Sequence, residues 1–224
     1  MPDPNIKPWG PMPDDEPSGY NARRLNAAWW GSICLWGDLG TAAPIIMHES
    51  ERRLLWDVCA DPALPEGVFL EIGTGFGGSL VIAVKASERR VRGEECWTVD
   101  SFPDGEDDQI RPLLCEAVAK SMKARLIVGD RGSLQALCQR PMFRVAFIDG
   151  GHSSEDVWAD VRAVLPLMLP GGTMLLHDCW GEHSAGPITV WQAAERSELN
   201  TPNRTVQACE ITHSLGRLLV HGGA

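Results

Sequence analysis

From residue 68 onward, short apolar runs alternate with longer stretches of helical spacing. The runs at 68–72, 95–99, 125–128, 144–148 and 173–177 read as strands, and helix-like stretches begin near Gly77, Ile110, Arg131, Ser154 and Pro187. This alternation predicts an α/β domain built on an open, mainly parallel sheet. The end of the chain breaks the pattern: strand-like runs at 204–211 and 215–220 are separated only by Thr212, His213 and Ser214, which predicts an antiparallel C-terminal hairpin. No internal repeat is visible.

Ahead of this region the pattern changes twice. Residues 1–20 are rich in proline and acids with few apolar anchors, and read as an extended or disordered arm. Residues 21–62 form a helical lid or interface segment, in which Leu25, Trp29, Trp30, Ile33 and Trp36 share one aromatic face and a helix over 48–59 stops before Pro62. Residues 63–224 then make the main α/β domain. A chain of 224 residues fits one such domain with a large core.

Composition narrows the partners. The formal net charge is -10 and no basic run occurs, which argues against a nucleic-acid backbone and for a small-molecule partner. No apolar run reaches the roughly 18 residues of a membrane span, and the seven cysteines are scattered without a Cys-x-x-Cys pair. They read as reduced thiols of a cytoplasmic protein. The aromatic N-terminal helix suits a homodimer.

Candidate chemistry gathers at the strand ends. Gly73-Thr-Gly-Phe-Gly-Gly78 satisfies the G-x-G-x-x-G pattern of nucleotide-cofactor turns, which alone is compatible with NAD. Glu71, just inside the turn, would repel a pyrophosphate but suits a cationic aminoacyl group, as in S-adenosylmethionine. The cofactor contacts expected here are Glu71, Gly73, Thr74, Gly75, Gly77 and Ser79, then Asp100 with Ser101 on the ribose hydroxyls. Asp130 follows the third strand, either at the adenine amino group or as a helix N-cap.

Two further segments carry the reactive groups. Ile148-Asp-Gly-Gly-His-Ser-Ser154 leaves Asp149 and His152 at a tight turn, with Ser153 or Ser154 capping the next helix and Glu155 or Asp156 in its first turn. Pro170-Gly-Gly-Thr-Met-Leu-Leu-His-Asp178 delivers His177 and Asp178 to the same edge. Two carboxylates and an imidazole at neighbouring strand ends can bind a divalent cation: oxygen ligands favour magnesium or manganese, and the histidine shifts the preference toward manganese, iron or zinc. Trp180 follows directly and can cover an acceptor, with Trp29, Trp30 and Trp36 completing a hydrophobic lid.

On these motifs the chain resembles the class I S-adenosylmethionine-dependent methyltransferases from about Glu49 onward. That resemblance implies a Rossmann-like, seven-stranded, mostly parallel sheet with helices on both faces and a reversed last strand. Within the class, the Asp149–Glu155 and Pro170–Asp178 segments are similar to small metal-dependent O-methyltransferases of natural-product and sugar pathways. The resemblance implies a metal held by Asp149, His177 and Asp178, although a carboxylate stands in the macrolide-sugar enzymes where this chain has His177. It further implies His152 as general base with Asp149 beside it, and O-methylation of a natural-product, sugar or phenolic hydroxyl. Catechol-type relatives carry an asparagine at the position of Cys179. The rival readings are an NAD-dependent oxidoreductase on the same turn and a cofactor-binding scaffold without turnover.

Overall fold

The computed structural model describes residues 47–90, 94–102, 115, 116, 119, 120 and 122–223. The expected arm, the tryptophans at 29, 30 and 36, and the expected helix start near Ile110 lie outside these. The described elements are α1 (Glu49–Ala60), β1 (Val68–Ile72), α2 (Gly78–Ser87), β2 (Cys96–Asp100), β3 (Arg125–Val128), α3 (Arg131–Leu137), β4 (Phe143–Ile148), α4 (Ser154–Val164), a 3-10 turn (Leu165–Leu167), β5 (Met168–Leu176), α5 (Pro187–Glu195), β6 (Arg204–Thr212) and β7 (Leu215–Gly222).

The seven strands form one sheet in the order β3-β2-β1-β4-β5-β7-β6. Pairs among β1 to β5 are parallel, whereas β7 runs antiparallel to both β5 and β6. The hairpin predicted from the sequence is therefore the last feature of a mostly parallel sheet. Strand order reverses between β1 and β4, and a parallel sheet opens its ligand crevice beyond the carboxyl ends at such a point. Glu71, Asp100, Asp149 and Asp178 all lie at or just after those ends.

Alternation along the central strands sorts the core into two layers. Leu70, Ile72, Val99, Ala146, Ile148, Met174 and Leu176 face one side with Val157, Val161 and Val190 of α4 and α5. Phe69, Val145, Phe147 and Leu175 face the other with Leu80, Ile82 and Val84 of α2 and Leu55, Val58 and Cys59 of α1. Helix α1 is thus packed into the body of the domain. Its N-cap is His48, and its third residue, Glu51, turns back to accept from the His48 backbone N–H at 2.7 Å.

Strand β5 begins five residues earlier than the sequence predicts. Met168 already pairs with Phe143, and the ladder is irregular between Phe143 and Val145, so the Pro170-Gly171-Gly172 run is carried inside the strand as a bulge. Arg144 falls in that irregularity and is fully buried. Its guanidinium meets Glu94 and donates to Ser87 Oγ at 2.7 Å, while Arg90 Nε approaches the same Glu94 carboxylate at 3.2 Å. This closed ion cluster lies at the end of the sheet opposite the strand-end acids. The six cysteines among the described residues form no disulfide, and no described helix is long and apolar enough to cross a membrane.

Candidate active site

The glycine turn follows β1 directly. Gly73 has φ +88°, and a Cβ there would run into the carbonyl of Asp149, so glycine lets the turn lie against the end of β4. Gly75, with φ +55°, faces open space. Thr74 N donates to Asp100 Oδ2 at 2.9 Å, and Phe102 N donates to Oδ1 at 2.8 Å. Asp100 therefore braces the turn from β2 while remaining at its rim, with Ser101 exposed beside it.

Glu71 sits more deeply than its expected ligand role suggests. It is fully buried, and its two oxygens accept from Ser79 Oγ at 2.5 Å and Thr98 Oγ1 at 2.6 Å. Burial pushes its carboxyl up to about 8, against the pull of those two hydroxyls. Ser79 serves this carboxyl from α2. Asp130 has the role of a cap: its Oδ1 accepts from Gly132 N at 2.9 Å and Ser133 N at 3.3 Å at the start of α3. Ser153 caps α4 in the same way, accepting from Asp156 N at 3.1 Å.

The second half of the site spans the ends of β4 and β5. His152 Nε2 lies 2.9 Å from Asp178 Oδ2. Its ring is 40% exposed and sits 4.8 Å, centroid to centroid, from the exposed ring of His183. Gly186 holds the turn that carries His152, since a Cβ there would meet the His152 and Ser153 carbonyls at 2.5 and 2.7 Å. Asp178 has φ +55°, a left-handed conformation that aspartate tolerates better than most side chains. Cys179 follows, buried, with its N–H donating to Ser214 O at 2.7 Å. That bond pins the turn to the hairpin. Trp180 projects outward and is 73% exposed.

His177 departs from its expected role. It is buried, its ring packs on Phe147, and its Nδ1 lies 3.0 Å from Asp149 Oδ1 and 3.3 Å from Asp178 Oδ2. On its far side Nε2 is 3.5 Å from Glu51 Oε2. The donor atoms that lie mutually within 4.8 Å, as a metal would require, belong to Asp149, His152 and Asp178. His177 is not in that group. The structure thus brings the three expected ligands together but sets His177 behind the two acids, with His152 in front.

Glu51 was not singled out from the sequence. It also accepts from Ser214 N at 2.9 Å and Ser214 Oγ at 2.5 Å, and it lies 3.2 Å from His213 Nδ1. Burial alone would raise Glu51, but its contacts with His177 and Ser214 lower it to about 2. Burial would likewise lower His177, yet Asp149, Asp178 and Glu51 hold it well above the usual histidine value. Asp178 is pulled below the ordinary carboxylate range against its burial by the two imidazoles, and the bond to Asp178 raises His152 despite partial burial.

The chain matches the family model described as a methyltransferase domain over residues 70–179, which span the glycine turn, Asp149, His152 and His177 to Cys179. Similar solved structures include a candidate caffeoyl-CoA O-methyltransferase from Staphylococcus aureus, with TM-score 0.56 and 13% identity, covering 80% of this chain and 86% of that one. An rRNA methylase from Streptococcus thermophilus gives TM-score 0.52 and 10% identity over 80% and 99% of the two chains. A candidate methyltransferase from Streptococcus mutans, in complex with SAH, gives TM-score 0.56 and 11% identity over 79% and 99%. At these identities the likeness is one of fold, and the named acceptors differ among the neighbours. A search of the curated proteins returns no match. The glycine turn at the switch point, the reversed last strand and the family match over residues 70–179 favour a sulfonium over a nicotinamide cofactor: the chain carries a methyltransferase domain with the class I S-adenosylmethionine-dependent fold.

Proposed function

We propose that this methyltransferase acts on a hydroxyl of a small molecule of natural-product, sugar or phenolic type, with His152 as the general base. The observation that carries the reading is the His152–Asp178 pair at 2.9 Å, half open to solvent and one strand end from the glycine turn. If Nε2–H donates to Asp178, the imidazole is fixed in the tautomer that leaves the Nδ1 lone pair for an acceptor. The acceptor hydroxyl gives its proton to Nδ1 as its oxygen attacks the sulfonium methyl in line. The C–S bond breaks, and S-adenosylhomocysteine leaves with the sulfur electron pair. Holding oxygen and methyl carbon within roughly 3 to 3.5 Å is the protein's main contribution.

In this reading the cofactor lies along the glycine turn. Glu71, with Ser79 behind it, serves the aminoacyl end; Gly73, Thr74, Gly75 and Gly77 supply backbone; Asp100 and Ser101 take the ribose; Asp130 borders the adenine; and Asp149 lines the methyl end. An ammonium near Glu71 would favour its charged form, so cofactor binding at pH 7 would expel the proton that burial keeps there. Trp180 borders the acceptor, with Trp29, Trp30 and Trp36 of the N-terminal segment as the lid. A cytoplasmic homodimer remains part of this reading.

A divalent cation would supply Lewis-acid polarisation of the hydroxyl, with Asp149, His152 and Asp178 as its ligands. The donor set of two carboxylates and an imidazole suits manganese, iron or zinc better than magnesium. Asp178 Oδ2 already faces two imidazoles, Asp149 Oδ1 faces a third nitrogen contact from His177, and magnesium would find only two carboxylates among the donors. Ligation would also consume the lone pairs of His152. No step is therefore assigned to a metal.

The test is S-adenosylhomocysteine release from S-adenosylmethionine with a panel of sugar, polyketide and phenolic alcohols. Release should require a hydroxyl acceptor, and His152→Ala should lower single-turnover rate by about 10²- to 10⁴-fold. Turnover by amines alone, or an unchanged His152→Ala rate, would overturn the assignment.

A further inference from the structure

The segment between β5 and α5 is fastened at both ends and along its length. Cys179 N donates to Ser214 O at 2.7 Å, Ser184 Oγ donates to Gly181 O at 2.8 Å, and Ser154 Oγ of α4 donates to Ala185 O at 3.0 Å. Gly186 closes the loop against the His152 and Ser153 carbonyls. Thr189 Oγ1 of α5 donates to Gly186 O at 2.7 Å and accepts from Trp158 Nε1 of α4 at 3.0 Å. This loop and the turn that carries His152 therefore form one support.

His183 stands on that support. Its ring is exposed, lies 4.8 Å from the His152 ring between centroids at an interplanar angle of 40°, and has no hydrogen-bond partner among the described residues. The tilt keeps the two imidazoles from stacking face to face, so both border the same opening. A neutral imidazole offers one donor and one acceptor nitrogen. His152 has one nitrogen on Asp178, whereas both nitrogens of His183 are free to meet a ligand.

We propose that His183 is an acceptor-binding residue: it hydrogen-bonds a second hydroxyl beside the one that is methylated, so the site selects acceptors whose reacting oxygen has such a neighbour. The inference rests on the reading of His152 as the base and narrows its acceptor. Hydrogen bonds of about 2.8 Å from two rings this close reach oxygens that lie side by side, as in a 1,2-diol, and not oxygens at opposite ends of the molecule. A site that hydrogen-bonds a substrate hydroxyl discriminates against the analogue lacking it, because its own group loses that partner. His183 is open to water before binding, which offsets part of that loss and keeps the discrimination modest.

The test uses two matched pairs of acceptors, 1,2-dihydroxybenzene with phenol and trans-1,2-cyclohexanediol with cyclohexanol. Wild type should favour the diol of each pair in kcat/KM. His183→Phe keeps a ring but no hydrogen-bonding nitrogen, and should reduce that preference about three- to tenfold, through KM rather than kcat. His183→Gln, which keeps a hydrogen-bonding group, should restore part of it. His152→Ala should instead slow both members of a pair alike, so failure of the base assignment and failure of this inference are different results.

A second measurement needs no turnover. In carbon-resolved NMR of protein saturated with S-adenosylhomocysteine, the His183 Cε1–H signal, assigned with His183→Phe, should move on titration with trans-1,2-cyclohexanediol and stay in place with cyclohexanol. A diol preference that survives intact in His183→Phe would overturn the inference. So would a His183 signal indifferent to the diol.

Discussion

Two groups of buried charge sit at opposite ends of the same sheet, and they are built differently. At the far end Arg144, Arg90 and Glu94 form a closed cluster in which cations outnumber the carboxylate and every side chain is almost entirely buried. At the carboxyl end Glu51, Asp149 and Asp178 surround His177, with His152 standing half exposed in front. Guanidinium charge does not titrate in the working range, so the first cluster is fixed. The second is made of groups whose protonation responds to their neighbours, and it opens to solvent. Buried charge that cannot change braces a bulge; buried charge that can change is placed where a proton must move.

The sharpest break between the two is a pair of substitutions. His152→Ala should leave thermal stability close to wild type while removing most turnover. Arg144→Ala should do the reverse, costing about 3 kcal/mol of stability because Glu94 loses its closest cation in a buried setting. Differential scanning calorimetry and single-turnover rates, measured together, check both. Equal stability loss in the two variants would erase the distinction.

A weaker but more diagnostic contrast is in pH. A histidine raised in the folded state adds stability that is complete below its unfolded value near 6.5 and is lost as pH rises through the folded value. The stability difference between wild type and His177→Gln should therefore be largest in mildly acidic solution and shrink on the alkaline side. Glu51 has the opposite sign: lowered to about 2, it contributes above its unfolded value and loses that contribution as pH falls toward 2. The Arg144→Ala deficit should stay flat between these limits. Denaturant titrations across pH show whether the two clusters separate in this way.

These contrasts also mark what could be read from the chain. The short apolar runs placed β1 and β3 to the residue, because each is bounded by polar or glycine positions. The acids and glycines at the strand ends could be found because loops there follow their strands immediately. β5 was misread at its start: Pro170-Gly171-Gly172 has the composition of a turn, and only pairing with β4 and β7 keeps it in the sheet. Glu51 and Ser214 gave no signal, since each is local in sequence to an ordinary cap or hairpin and acquires its meaning from a partner more than 100 residues away. His177 was recognised as important, but its partners decided its charge.

Glu71 gives a smaller effect that tests the same principle inside the cofactor turn. Its carboxyl is raised to about 8, so the folded state holds a proton that the unfolded chain has lost above its ordinary value, and this site loses stability as pH climbs toward 8. Glu71→Gln should be nearly neutral for the cofactor-free fold near pH 4 and increasingly stabilising relative to wild type as pH rises toward 8. It should also abolish proton release on S-adenosylhomocysteine binding, read by calorimetry in buffers of different ionisation enthalpy. Identical buffer dependence in wild type and variant would place the titrating group elsewhere.

The smallest effect separates bracing from binding at Asp130. Its carboxylate accepts two backbone N–H groups at the start of α3, a helix of one and a half to two turns whose only fully buried apolar contact is Leu134. Asn keeps an oxygen that can cap, whereas Ala removes it. Asp130→Ala should cost about 1 kcal/mol, and Asp130→Asn only a fraction of that. If the residue also borders the adenine, Asp130→Asn should still weaken S-adenosylhomocysteine binding, because an amide can turn its NH₂ toward the purine amino group while its oxygen serves the cap. Equal affinity for wild type and Asn variant would leave Asp130 as a helix cap alone, and the cofactor would then be held at its far end by the backbone after β3.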